Sequence, residues 1–150
     1  MMELLAFGDT GWGDELLLSM VMTILVSTSS LAFGLIIGTI FASFKLSNSY
    51  ILKTIAEFYT TVVRGVPELL VIYLLFFGGS GAVMYVAKIF GHMGYIELSP
   101  FTIGTIAVGA ISGAYSTEVI RGAIVAVPKG QFEAAQTLGM AKYTMSFKVI

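Results

Sequence analysis

The sequence predicts an all-α membrane protein, a bundle of transmembrane helices, on three observations. Hydrophobic residues make up 57% of the 150-residue chain and charged residues only 11%, against about 25% charged in soluble domains. The mean hydropathy is +0.91. Apolar stretches recur at Leu16–Phe44, Leu69–Ala87 and Leu98–Thr117, each near or above the ~20 residues a helix needs to cross a ~30 Å hydrocarbon core. The formal net charge of −1, with no basic block, leaves no footprint for nucleic acid. The absence of Cys excludes a disulfide framework and a thiolate metal site, without fixing the compartment.

The first span is expected over about 15–44. Glu3, Asp9, Asp14 and Glu15 precede it and no Lys or Arg does, so it lacks the basic flank of a signal peptide. It is also too long for one and is retained as a span. Gly34, Gly38 and Ala42 stand four apart, a stripe where another helix backbone can approach. The alternative is that glycine is merely frequent in membrane helices. Gly109 and Gly113 repeat the spacing in the last span.

The second span is read as one helix over about 50–77. Ile51, Ile55, Phe58, Tyr59 and Val62 follow helical spacing up to Arg64-Gly65-Val66-Pro67. Pro67 predicts a kink there. Gly78-Gly79-Ser80-Gly81 predicts a break. Irregular backbone at membrane depth is tolerated where protein or a water-filled cavity satisfies it. Both places are therefore candidates for lining a pathway, or else helix ends at the interface.

The third span is expected over 99–127, where Pro128 stops it. Basic residues then set the orientation. The N-terminal flank has none. Lys45, Lys53 and Arg64 follow the first span, Lys88 alone follows the second, and Arg121, Lys129, Lys142 and Lys148 follow or close the third. The pattern places the N-terminus outside and the segment after Pro128 in the cytoplasm.

Four charges need an account. Glu118 and Arg121, at i, i+3, share a helix face and can pair at the membrane edge; the functional alternative is a polar group facing a cavity or gate. Arg64 and Glu68 bracket the Pro67 bend at i, i+4. They can pair with each other or with backbone freed by the kink, or Arg64 can snorkel to the headgroups. Arg64, Gly65, Pro67, Glu68, Glu118 and Arg121 are thus the candidate pathway or gate residues. Glu57 lies on roughly the face of Arg64 and can meet a neighbouring subunit. His92, the single histidine, sits near Lys88 and Glu97 with no second ligand at metal spacing. No P-loop, zincin motif or nucleophile–base pair is present. No enzyme, cofactor or metal is expected, and any energy must come from a partner.

After these spans comes a polar insertion, Gln131-Phe-Glu-Ala-Ala-Gln-Thr-Leu-Gly139. Glu133, Ala134 and Ala135 open a short helix shaped to dock into another protein. Gly139 ends it by permitting a chain reversal.

This string resembles the "EAA" loop of binding-protein-dependent ABC transporter permeases. Tyr59–Leu70, containing Arg64-Gly65-Val66-Pro67, resembles the family's "RGxP" segment. Gly113–Ala123 resembles the end of the helix before its coupling loop, and Ala126–Ala135 the approach to it. The joined motifs are most similar to polar amino-acid permeases of the histidine/lysine/arginine/ornithine or octopine/nopaline type.

The resemblance implies a helix bundle of the ABC importer type in the bacterial inner membrane. Five spans are usual; three and the coupling loop, 128–142, fall here, within one permease domain. The proline that follows the loop in the family does not arrive by Ile150, so a fragment of a longer permease is expected. The implied partners are a dimer of ATP-binding subunits, a second permease subunit, identical or sister, and a periplasmic solute-binding protein, besides membrane lipid. Glu133, Ala134, Ala135 and Gly139, with Gly130 and Gln131 at the leading edge, are the implied ATPase contact. Alternatives are a secondary transporter or channel that needs no ATPase, and a scaffold whose loop only recruits a partner.

Overall fold

The structure is a computed structural model that describes residue 7 and residues 11–90, 99–141 and 144–145. His92, Glu97, Lys142 and Lys148 lie outside the described residues. Among the described residues five helices follow one another: α1 Gly13–Leu46, α2 Tyr50–Gly65, α3 Glu68–Ile89, α4 Pro100–Ala126 and α5 Lys129–Thr137. Among the described residues there is no strand.

Helix α1, with 34 residues, extends about 51 Å, well beyond a ~30 Å hydrocarbon core. Asp14 and Glu15 stand in its first turn and Lys45 in its last, each at the end where the helix dipole favours its charge. Ser99 caps α4, its hydroxyl accepting from the Thr102 amide at 3.2 Å, and Pro100 fills the first helical position, where no N–H is needed. By length and composition α1 and α4 can each cross a membrane, and α2 with α3 can make a third span.

The core is the seam between α1 and α4. Ser30, Gly34, Gly38 and Ala42 are the buried stripe of α1. Facing it, α4 buries Ala107, Gly109, Gly113, Ala114 and Thr117 among others. The glycines are required by proximity: a Cβ on Gly34 would lie 3.0 Å from the Gly109 carbonyl oxygen, and one on Gly109 would lie 2.6 Å from the Phe33 ring. Without a hydrophobic drive between helices in lipid, such close backbone approach supplies the packing. The small-residue stripes expected from spacing therefore do pack.

Gly34 meets Gly109 and Ser112, and Gly38 meets Ser116 and Thr117. Contacts advance in the same direction on both helices, so α1 and α4 run parallel. The chain returns between them through α2 and α3. Ala56 and Thr60 are the buried face of α2. Beside them the Tyr59 ring lies 4.3 Å from that of Phe41 on α1, and its hydroxyl donates to the Ala110 carbonyl of α4 at 2.5 Å. Tyr59 thus ties three helices together.

The second span differs from the expectation twice. It is not one bent helix over 50–77 but two helices meeting at 108°. Val66 (φ −109°, ψ 144°) and Pro67 (ψ 130°) are both extended. Proline removes its own N–H and drives the residue before it out of the helical region, so the kink becomes a full break. Conversely, α3 continues through Gly78-Gly79-Ser80-Gly81 to Ile89, where a break was expected. Each glycine weakens a helix by about 1 kcal/mol. Opening the helix in hydrocarbon would leave backbone groups unbonded at several kcal/mol each, so the helix persists.

Candidate coupling and pathway site

Beyond α4, Val127 and Pro128 are extended, and nine residues of polar helix follow as α5. Pro128 precedes its first turn, where the missing N–H costs nothing. Its end is a complete Schellman motif. The Met140 amide donates to the Ala135 carbonyl at 3.1 Å and the Gly139 amide to that of Gln136 at 2.9 Å. Gly139 sits between them at φ +68°, the left-handed conformation that glycine adopts without strain. The expected chain reversal at Gly139 is present.

The predicted docking residues do not all point one way. Gly130, Gln131, Glu133, Ala134 and Gly139 are exposed, whereas Ala135 is buried. A body arriving from the open side of α5 reaches the first five and not the Ala135 methyl. A short helix locked at its C-terminus and presenting a carboxylate among small residues can enter a cleft closely.

Above α5, Glu118 and Arg121 pair as their spacing suggested, with Arg121 Nη2 2.9 Å from Glu118 Oε2. The sequence reading missed a third member. Lys45, in the last turn of α1, donates to Glu118 Oε1. Both carboxylate oxygens are therefore engaged, and the ends of α1 and α4 are tied by charge-assisted bonds. The signal was a last-turn lysine and a carboxylate with a spare oxygen, but they stand 73 residues apart.

The bend holds the other candidates. Arg64, Gly65, Pro67 and Glu68 are all exposed. Arg64 and Glu68 are not an ion pair with each other among the described residues. Both turn instead to Tyr115 of α4, which sequence reading did not single out. The Arg64 guanidinium lies 5.4 Å from the Tyr115 ring centroid, and the Glu68 carboxylate is near enough to act on its hydroxyl electrostatically. Pro67 ends the helical run between the two charges, so the i, i+4 geometry expected of them does not exist. The structure forms two clusters, the bend with Tyr115 and the Lys45–Glu118–Arg121 network, and keeps α5 apart from both. Glu57 is exposed on α2. No group of metal-ligating side chains occurs among the described residues.

Residues 30–150 match the family model described as "Binding-protein-dependent transport system inner membrane component". The nopaline transport system permease protein NocQ of Agrobacterium fabrum is 48% identical over 150 residues, covering 99% of this chain and 64% of that protein. The octopine transport system permease protein OccQ of Rhizobium radiobacter is 42% identical, over 99% and 62% respectively. The histidine/lysine/arginine/ornithine transport system permease protein HisQ of Escherichia coli is 40% identical, over 88% and 58%. A crystal structure described as an amino acid ABC transporter with histidines superposes with a TM-score of 0.64 at 32% identity, over 83% of this chain and 53% of that one. The chain thus spans less than two thirds of the length of these relatives. It belongs to the family of binding-protein-dependent transport system inner membrane components.

Proposed function

We propose that this chain acts within the permease subunit of an inner-membrane ABC importer for a polar, basic amino acid or an opine. ATP hydrolysis is the work of a separate subunit. The observation that carries this reading is α5. It is a nine-residue polar helix, directly joined to the seam helix α4 and terminated by a glycine at φ +68°. Its open face, with Gly130, Gln131, Glu133, Ala134 and Gly139, is the docking surface for the ATPase. The substrate class draws support from the relatives, named for nopaline, octopine and the basic amino acids.

The mechanism follows from how the helices are joined. Closure of the ATPase pair displaces α5 as a rigid piece. Only Val127 and Pro128 separate it from α4, so the displacement passes to α4. The close seam and the Lys45–Glu118 bridge carry α1 with it. The extended pair Val66-Pro67 absorbs the difference and lets the spans switch between inward- and outward-facing arrangements. A second permease subunit completes the passage, and a periplasmic binding protein delivers substrate. The basic residues that follow the first and third spans favour an outside N-terminus and a cytoplasmic α5.

The test is uptake by the full-length permease reconstituted in vesicles with its ATPase and binding protein. Labelled arginine, octopine or nopaline accumulates only when all components and ATP are present, and the permease alone hydrolyses no ATP. Accumulation by the permease without the ATPase would overturn the reading.

A further inference from the structure

We propose that α3 is a rod that swings about the Val66-Pro67 break into an apolar gap kept open beside α4, and that α1 and α4 stay fixed to each other while it does so. The proposal rests on the transport reading above and goes beyond it by naming the helix that moves and the space it moves into.

The helices are held unequally. A Cβ on Gly34, Gly38, Gly109 or Gly113 would find another atom at 2.6–2.9 Å, so α1 and α4 have no room left between them. On α3 the reverse holds: a Cβ on Gly78, Gly79 or Gly81 would meet nothing within 4 Å. Among the described residues α1, α2, α4 and α5 each bury at least one residue, and α3 buries none. Between α3 and α4 lies a cavity of about 100 Å³ lined by Leu75, Gly79, Val83, Ile103 and Ile106. Further along α3, Ala82, Val83, Val86 and Ala87 line a wider space of about 350 Å³. The space beside α3 thus widens with distance from the break. An empty gap forfeits the dispersion contacts its walls would otherwise make, and glycine at position 79 forgoes the helix propensity that alanine would supply. A wedge whose narrow end lies toward a hinge has the shape that rotation about that hinge closes.

The break supplies the hinge. Val66 and Pro67 are extended, and Pro67 lacks the N–H that would bond α3 back onto α2. Tyr59 fastens α2 to α1 and α4, so α3 is the arm free to turn. It turns as one piece, because opening its backbone bonds in hydrocarbon is costly. Gly79 stands about 17 Å and Val86 about 27 Å along α3 from Glu68. A rotation of about 10° therefore carries Gly79 about 3 Å and Val86 about 5 Å. A displacement of that size brings the α3 backbone at Gly79 onto Ile103 and Ile106, and the missing side chain is what lets it arrive. This is hinge motion in which one helix closes against a fixed pair.

The test uses the full-length permease complex with its ATPase and binding protein. Spin labels at Val86 and Val108, exposed on α3 and α4, report the gap; labels at Leu35, exposed on α1, and Val108 report the seam. Between the nucleotide-free and the vanadate-trapped complex the first distance should change by about 5 Å, and the second should not change. Filling the gap should then hinder the swing. Gly79→Ala, Gly79→Val and Gly79→Leu should lower uptake in that order, with leucine about tenfold below wild type, while the thermal midpoint holds or rises. The same three substitutions at Gly78, exposed and outside the cavity lining, make the same change in helix propensity and should leave uptake as it is. Equal losses in the two series, or a constant Val86–Val108 distance in a complex that imports, would overturn the proposal. A wild-type complex that imports no amino acid or opine would defeat the transport reading instead, which separates the two failures.

Discussion

Gly38 and Ser116 meet at backbone distance: a Cβ on Gly38 would lie 2.6 Å from the Ser116 Cβ and 3.2 Å from the Thr117 amide nitrogen. Neither helix can yield without opening the α1–α4 seam. Gly38→Ala is therefore expected to destabilise the permease by about 1–3 kcal/mol, the usual range for overpacking. Thermal unfolding in detergent measures it. Gly104→Ala, where nothing lies within 4 Å, serves as the control. It should be neutral or gain up to about 1 kcal/mol from better helix propensity.

The carboxylate of Glu118 joins two helices, and its removal should be felt on both. Lys45 and Glu118 side chains are only 12% and 21% exposed. Glu118→Gln is expected to cost about 1–3 kcal/mol through lost charge-assisted bonds. Combined with Lys45→Met, the costs should be non-additive by about 1 kcal/mol or more. Arg121 is 40% exposed, so Arg121→Gln should cost no more than about 1 kcal/mol. A double-mutant cycle on thermal stability reads all three.

Tyr59→Phe keeps the ring against Phe41 and removes only the hydroxyl that bonds the Ala110 carbonyl. The expected loss is about 1 kcal/mol. Tyr59→Ala should cost about 3 kcal/mol or more, because the ring itself fills the junction of three helices. Equal effects of the two variants in thermal unfolding would show that the ring does not bridge the helices.

Much of this architecture was legible because membranes leave few choices. An uncharged run as long as Leu16–Phe44 has no alternative to a helix, and Gly34, Gly38 and Ala42 fell at the four-residue spacing that a close seam favours. Pro128 marked the end of α4 and Gly139 the end of α5 because proline and left-handed glycine act locally, but α5 opens at Lys129, ahead of the Glu133 expected to open it. The failures were of two kinds. At Gly78–Gly81 local weakness was overruled by the cost of unbonded backbone in lipid. At Arg64 and Glu68 the spacing rule assumed a continuous helix that Pro67 had ended. Lys45 and Tyr115 were missed because their partners come from distant helices, a relation that one sequence does not display.

Gly139 is held at φ +68° inside the Schellman motif. Gly139→Ala should strain the end of α5 by about 1–2 kcal/mol, with Asn tolerated better. Since α5 makes no part of the membrane seam, insertion and the thermal midpoint of the spans should not change. ATP-coupled uptake should fall in the order Gly, Asn, Ala, with Gly139→Asp abolishing it. Uptake by Gly139→Asp at the wild-type rate would remove this residue from coupling.

The most direct measurement is a crosslink at Glu133, exposed on the open face of α5. These 150 residues contain no cysteine, so Glu133→Cys adds the single thiol of this region, to be paired with a thiol on the ATPase. In inside-out vesicles containing the full-length complex, a short bifunctional thiol reagent should join this position to the ATPase subunit, with a yield that changes when ATP binds. A thiol at position 133 reached only by impermeant reagents from the periplasmic face, or one that never captures the ATPase, would contradict the account.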